Sequence, residues 1–406
     1  MFDYLPYILF ILVLLVFIIY AYIRVKFGFW ALQPVFHVYD IGYYFYKPGI
    51  VLHDLPEKNK YTNFKNIETV LASDLYNQTN QTNNKWKKIV NFIRLHYLKN
   101  KDNTFLPKQE NIIPYFHGHN TKSFFTFYNE DYLLYDLKKG TTIDEKKMVS
   151  IITSRPVHVE INNGDENAIF DAYYVDYLCV DKMYRKKGIA PEMIQTHEYN
   201  QRHLNKNICV SLFKREEDLT GIVPLCVYKT YGFSVVKWLK PPDLHPSYKL
   251  IEITGHNFHF LQDFIKMQKN KFDILIMSEI ANIVELLKTK NIFIYVIMLE
   301  DDIISAYFYR KTCVFVEKGM EVLTCIASIN NCSNKNDFIQ GFKISFWKIA
   351  AENYFGFCAI ENISHNNIII ENIQLKTKPL IVSPTAYFFY NFIYSTFHSQ
   401  KVFILN

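Results

Sequence analysis

The sequence predicts an α+β protein of mixed α/β layers behind one N-terminal transmembrane helix. Three observations carry this. Half of the 406 residues are hydrophobic and 21% are charged, which supplies a sizeable core and excludes a disordered chain. Residues 5–21 read LPYILFILVLLVFIIYA, uncharged throughout, and with Tyr22 and Ile23 the run is long enough to span hydrocarbon. Strand-like and helix-like segments then alternate between 167 and 239, the order of a mixed α/β layer. A chain of this length predicts two domains, and Pro241, Pro242 and Pro246 mark the border. The expected division is an anchor at 1–26, an N-terminal domain at 27–240 and a C-terminal domain at 241–406.

The elements follow in order. Pro6 sits where a helix start tolerates it. The segment before the apolar run has Asp3 and no Lys or Arg, unlike a signal peptide, while Arg24 and Lys26 follow the run. The positive-inside bias therefore predicts a single-pass protein with the bulk of the chain cytosolic. Residues 27–66 are rich in Pro, Gly and aromatics, which predicts an extended strap. Helices are expected at 67–77 and 85–97, and a helix or strand at 123–129 followed by a strand pair up to 161. Residues 167–181 read as a strand, followed by a helix whose apolar spacing starts at Ala190 with Pro191 in its first turn. A strand at 207–213, a short helix at 223–233 and a strand from Phe233 complete a β-α-β-α-β unit. Beyond it come helices at 261–269 and 279–290 around a short strand at 271–277. A hairpin at 291–311 turns at Glu300-Asp301-Asp302. A strand at 321–330, an amphipathic helix from Asp337 and a strand from Phe355 end in an aromatic-rich tail. The second half echoes the layout of the first.

Composition narrows the function. The formal charge of +6 is mild, and no basic stripe or zinc-finger spacing argues for nucleic acid. The seven cysteines are odd in number and show no C-x-x-C spacing, which predicts reduced, buried thiols in a reducing compartment. His117-Gly-His119 lacks an evident third ligand, and strand alternation puts His158 on the wetter face, so no metal site is expected. The Lys, Asn, Ile and aromatic bias has the style of an AT-rich genome such as that of a large DNA virus.

The sharpest segment is YYVDYLCVDKMYRKKGIAPEM. A strand ends near Val180, and a basic turn through Arg185, Lys186 and Lys187 enters a helix at Gly188, Ile189, Ala190 and Pro191. The first helical turn has backbone N–H groups without internal partners. Small residues there and nearby positive charge make a phosphate cradle. The alternative is an ordinary basic helix start. Asp176, next in the strand, reads equally as a base or orienting group for an amine and as an edge residue.

These residues carry a resemblance. Arg185-x-x-Gly188-x-Ala190 resembles the acyl-CoA diphosphate motif of the GNAT acyltransferase superfamily, and Tyr228-Lys-Thr-Tyr-Gly232-Phe233 resembles its later signature. Phe29-Trp30-Ala-Leu-Gln33-Pro34-Val35, Tyr177-Leu178-Cys179-Val180 and Arg185 through Pro191 are similar to segments of N-myristoyltransferases, which fuse two GNAT-like folds. The resemblance implies tandem GNAT-like folds and acyl-CoA as cosubstrate. It also implies a peptide or other amine as acceptor. Phe29, Trp30, Val180 and the turn 185–191 would hold the acyl-CoA. The Tyr177 and Leu178 amides would form an oxyanion hole, Tyr228 would protonate the leaving thiolate, and the carboxylate of Asn406 would accept a proton from the amine. Two departures stand out: the family ends in leucine, and its G-D-G-N stretch is missing here. They leave a second expectation open, a non-catalytic membrane or virion protein that keeps the fold.

Overall fold

The structure, a computed structural model, describes residues 4–26, 28–76, 79–98, 103–136, 141–162, 167–217, 219–316 and 319–406. Helix α1 (Leu5–Lys26) carries the apolar run. Its Leu5–Val25 stretch is long and apolar enough to cross a membrane and is not buried by the rest of the described residues. A strap follows, with 3-10 turns at Trp30–Leu32 and Ile41–Phe45 and the short strand β1 (Gly49–Ile50).

The first half then builds β2 (Ile67–Leu71), α2 (Ala72–Tyr76), α3 (Thr79–His96), β3 (Thr104–Phe105), α4 (Gln109–Ile112), β4 (Phe124–Asp136), β5 (Thr141–Ile161), β6 (Ala168–Val180), α5 (Ile189–Leu204), β7 (Val210–Glu216) and β8 (Cys226–Ser234). The second half adds β9 (Tyr248–Glu252), α6 (Phe258–Gln268), β10 (Ile274–Met277), α7 (Ile280–Lys288), β11 (Ile292–Leu299), β12 (Asp302–Val316), β13 (Met320–Asn330), α8 (Lys335–Asn353), β14 (Phe355–Glu361), α9 (Asn366–Gln374), β15 (Ile381–Tyr390), β16 (Phe392–Ile393) and β17 (Val402–Leu405).

One sheet runs through both halves in the order β17-β10-β5-β6-β7-β15-β8-β14-β13-β12-β11-β9. Pairing crosses the expected border at 240/241. Strand β10 pairs with β5, and β15 lies between β7 and β8. The expected hairpin of β11 and β12, the helices α5 to α8 and the strands β6, β13 and β14 are all present.

Three elements differ from expectation. Residues 67–71 are a strand before a short helix, because Ile67, Thr69 and Leu71 pair against the aromatic run of β4. Residues 226–234 are a strand rather than a helix: Cys226 and Tyr228 are buried while Val227 and Lys229 face out, a period of two. The strand expected from Phe233 onward ends at Ser234. The apolar spacing that read as helical was therefore alternation along a half-buried strand.

Candidate active site

Strands β6 and β7 are parallel, but their pairing covers only Ala172–Val175 against Val210–Phe213. Beyond the pair Val175 and Phe213 the two strands separate, and a cleft of about 510 Å3 opens between them. On its other edge β6 stays paired with β5, with a bulge. Ile151 pairs with Cys179 and Thr153 with Asp176, so Tyr177 and Leu178 stand opposite Ile152 alone. Tyr177 takes φ 49°, a conformation that an L-residue holds only when its surroundings fix it.

What fixes it is Asp176. Its carboxylate accepts the Tyr177 amide at 2.8 Å and faces Arg155 at 3.3 Å. Arg155 is 1% exposed, with its guanidinium 5.0 Å from the Tyr115 ring centroid and 4.7 Å from that of Tyr174. Asp176 thus positions the bulge, and its oxygens are engaged. The Tyr177 amide is turned onto that carboxylate, which corrects its expected place in an oxyanion hole. Leu178 is partly exposed and lines the cleft.

The phosphate-cradle turn is present. Asp181 caps a 3-10 turn at Lys182–Tyr184 by accepting the Met183 amide at 2.9 Å. Gly188 is the N-cap of α5 at φ 81°, with no side chain on the orphan amides and open space where a Cβ would stand. A side chain there would be strained by the backbone alone. Val180, Arg185, Ala190 and Pro191 line the cleft. Lys186 and Lys187 are exposed on the turn, and Ile189 is buried beneath it against Met193 and Val149. Arg185 differs from expectation. Its guanidinium donates to the His96 carbonyl at 2.6 Å and the Val180 carbonyl at 3.3 Å, so it ties the turn to α3.

The strap closes the far wall. Phe29 and Trp30 line the cleft, Phe29 edge-on to Tyr61 and Trp30 stacked on Phe213. Gln33 locks the strap in place: its amide donates to Gln195 of α5 at 3.1 Å and accepts from the Tyr390 hydroxyl of β15 at 2.6 Å.

Tyr228 and Asn406 lie apart from this cleft. Tyr228 sits on β8, buried, with its hydroxyl donating to Glu361. Burial, with Glu361 next in importance, raises its pKa well above the ordinary value. Its hydroxyl is committed to that carboxylate. Glu361 also accepts from Lys214 at 2.9 Å. Asn406 is buried after β17, with its main-chain oxygen and its side chain held by Arg310. Arg310 stands 6.0 Å from the Tyr115 ring, which also faces Arg155. A contiguous chain of contacts therefore joins Asn406 to Asp176 and the bulge.

Sequence reasoning missed Arg155, Arg310, Lys214 and Glu361. A charged residue inside an apolar strand was the available signal, as in SRPVHV for Arg155. His158 lies on the outer face as expected, bridged to Asp171 at 2.5 Å and Glu279 at 2.9 Å. The seven cysteines are unpaired. Among the described residues no His, Cys, Asp or Glu cluster gathers as a metal site.

Burial sets two opposing titrations on α5. Desolvation pushes the Glu198 carboxyl up to about 7, against smaller opposing effects of Arg202 and Ser211. Desolvation lowers the His197 imidazole to about 3. The folded state binds the Glu198 proton more tightly than the unfolded chain, so that group destabilises the fold as pH rises from about 4.3 to 7. His197 acts in reverse and destabilises as pH falls below about 6.5. A Glu198→Gln variant is therefore expected to gain on the wild type as pH rises, by about 3 kcal/mol at neutral pH. Denaturation midpoints at pH 4.5, 5.5 and 7 check this. A pH-independent difference would show that the carboxyl is not perturbed.

Residues 55–226 match the family model described as Myristoyl-CoA:protein N-myristoyltransferase, N-terminal domain. No curated protein matches in sequence. A Saccharomyces cerevisiae N-myristoyltransferase with bound myristoyl-CoA is 13% identical, with TM-score 0.68 over 92% of this chain and 94% of that one. Another structure of the yeast enzyme, with myristoyl-CoA and inhibitors, is 12% identical with TM-score 0.68 over 92% and 91%. A tandem GNAT protein from the clavulanic acid biosynthesis pathway is 9% identical with TM-score 0.50 over 80% and 98%. The fold is N-myristoyltransferase-like and built on GNAT-type α/β layers.

Proposed function

We propose that this chain, whose residues 55–226 carry an N-myristoyltransferase N-terminal domain, is an acyl-CoA-dependent N-acyltransferase held at the cytosolic face of a membrane by α1. Its acceptor is a protein N-terminus or another amine. The observation that carries the reading is the fork between β6 and β7, with an uncapped helix start at one end and a bulge beside it.

In this scheme the CoA diphosphate sits on the free amides at Gly188–Ala190, where the helix dipole and Lys186 and Lys187 favour anions. The thioester carbonyl lies at the bulge. The acceptor ammonium gives one proton to a base, and the free amine attacks the carbonyl carbon. The tetrahedral oxyanion collapses, the C–S bond breaks, and the second amine proton passes to the departing thiolate. The amide and free CoA–SH are the products. The Leu178 amide is the proposed oxyanion donor, since fixed donors stabilise charge that develops in the transition state.

Calorimetry of the full-length protein in nanodiscs with free CoA and acyl-CoA tests the reading; no heat with any of them would remove it. Arg185→Ala is expected to weaken CoA binding about tenfold or more, because a charged donor that ties the turn to α3 is worth about 1.5–3 kcal/mol. Unchanged affinity in that variant would mean that the turn holds its shape without Arg185.

A further inference from the structure

The strap holds an apolar turn out in solvent. Six of the nine residues from Val38 to Tyr46 are large, hydrophobic and exposed. In the 3-10 turn Ile41–Phe45, positions three apart share a face, which sets Ile41 and Tyr44 side by side. Ile41 is 74% exposed, Tyr44 76% and the adjoining Phe45 81%. Single exposed apolar residues are ordinary, but a contiguous group of them marks a contact surface.

The backbone under the turn is firmly held. The Phe36 carbonyl accepts the Val223 amide at 2.8 Å, and the Val38 amide donates to the Gly221 carbonyl at 2.9 Å. The Tyr43 hydroxyl donates to the Tyr394 carbonyl at 2.9 Å. Phe36 packs on the rings of Tyr43 and Tyr46 from the inner side. The fold therefore spends its inward contacts on Phe36 and Tyr43 and leaves Ile41, Tyr44 and Phe45 uncovered.

What covers them follows from the place of the turn. A Cβ at Gly28, just past α1, would stand 3.4 Å from the Arg24 carbonyl and 3.9 Å from the Tyr61 hydroxyl, so the last turn of α1 abuts the body. Tyr39 is within electrostatic range of that helix end: burial and Asp40 raise its pKa, and Arg24 opposes them. Ile41 to Phe45 lies within about 15 Å of Tyr39 along the chain. The charges suit an anionic surface. Arg24 and Lys47 are exposed, and Lys60 stands over the Tyr61 ring at 5.1 Å. Asp40 is the sole carboxylate of residues 27–53, and it accepts the His37 amide at 2.7 Å.

We propose that Ile41, Tyr44 and Phe45 insert into the interfacial layer of the leaflet in which α1 ends, as a second membrane contact. This rests on the reading of α1 as a membrane span. Tyrosine and phenylalanine suit that layer, and basic residues beside them meet anionic headgroups. A single helix leaves the body free to swing about its end. The second contact removes that freedom. The strap also carries Phe29 and Trp30 of the cleft wall, so the contact fixes the cleft relative to the lipid surface.

The test puts Phe45→Trp into the full-length protein in nanodiscs of phosphatidylcholine and phosphatidylserine. Subtracting the wild-type emission isolates the new indole from the four native tryptophans. Lipid brominated near the head of its acyl chains is expected to quench that indole about twofold, and lipid brominated near the chain ends less, since interfacial side chains sit about 5–10 Å deep. Adding Ile41→Glu and Tyr44→Glu is expected to lift the quenching. Leu239→Trp, at an 88% exposed position past the far end of β8 from Ile222, is expected to stay unquenched. An unquenched indole at position 45, equal quenching at position 239, or quenching that survives the glutamates overturns the proposal and gives the turn to another occupant, such as a second copy. Alkaline washing of membranes that carry the full-length protein separates the two readings. Protein retained but unquenched sinks this inference alone, whereas protein washed off removes the membrane span with it.

Discussion

Arg155→Met should be among the most destabilising single substitutions in the protein, at about 3–5 kcal/mol. The guanidinium is fully buried between two tyrosine rings and faces Asp176 at 3.3 Å. Methionine fills much of the volume but leaves the Asp176 carboxylate without its cation. That carboxylate also holds the Tyr177 amide, so the bulge should loosen along with the core. Chemical denaturation of the full-length protein in detergent gives the loss. The double variant Arg155→Met with Asp176→Asn should recover 1 kcal/mol or more, since the stranded charge is gone. A double variant no more stable than the single one would mean that Arg155 acts through its ring contacts alone.

Lys214→Met is expected to cost a similar amount, about 3–5 kcal/mol at neutral pH. Lys214 is the cation for Glu361, which is nearly fully buried and also accepts from Tyr228. Glu216, the other partner at 2.9 Å, is more than half exposed and adds little. Desolvation, the largest effect on the Lys214 ammonium, acts downward, yet the two carboxylates prevail and hold its pKa well above the ordinary lysine range. Its contribution is therefore full below about pH 10.4 and lost as pH rises through the folded value. Lys214 in turn lowers the Glu216 carboxyl. That part is present above about pH 4.3 and lost as pH falls through the lowered value. The stability difference between the wild type and Lys214→Met should be level between these limits and shrink on both flanks. Unaltered flanks at pH 4 and pH 10.5 would place the network outside the folding energetics.

How much of this was legible in the sequence depends on the kind of signal. The turn from Asp181 to Pro191 was visible because Gly and Pro punctuate it and α5 keeps a helical period. The strap's approach to the cleft was visible only by resemblance at Phe29-Trp30 and Gln33, since no periodicity points to it. Residues 226–234 were misread because alternation and helical spacing coincide over a short apolar run. Arg155, Lys214, Arg310 and Glu361 come from four strands separated by up to 206 positions, and only the order of the sheet brings them together. Tyr228 shows the reverse failure. Its motif stood out, yet its hydroxyl is taken by Glu361, 133 residues away.

The place of β15 has a consequence for biogenesis. This strand lies against the whole length of β7 beside the fork, and it comes from residues 381–390. During vectorial synthesis β15 leaves the ribosome long after β7, so the cleft lacks its β15 neighbour until that strand has been made. Pairing at such sequence separation is slow. The nascent chain should therefore emerge ligand-incompetent, with β7 an open edge that invites chaperone capture or intermolecular strand addition.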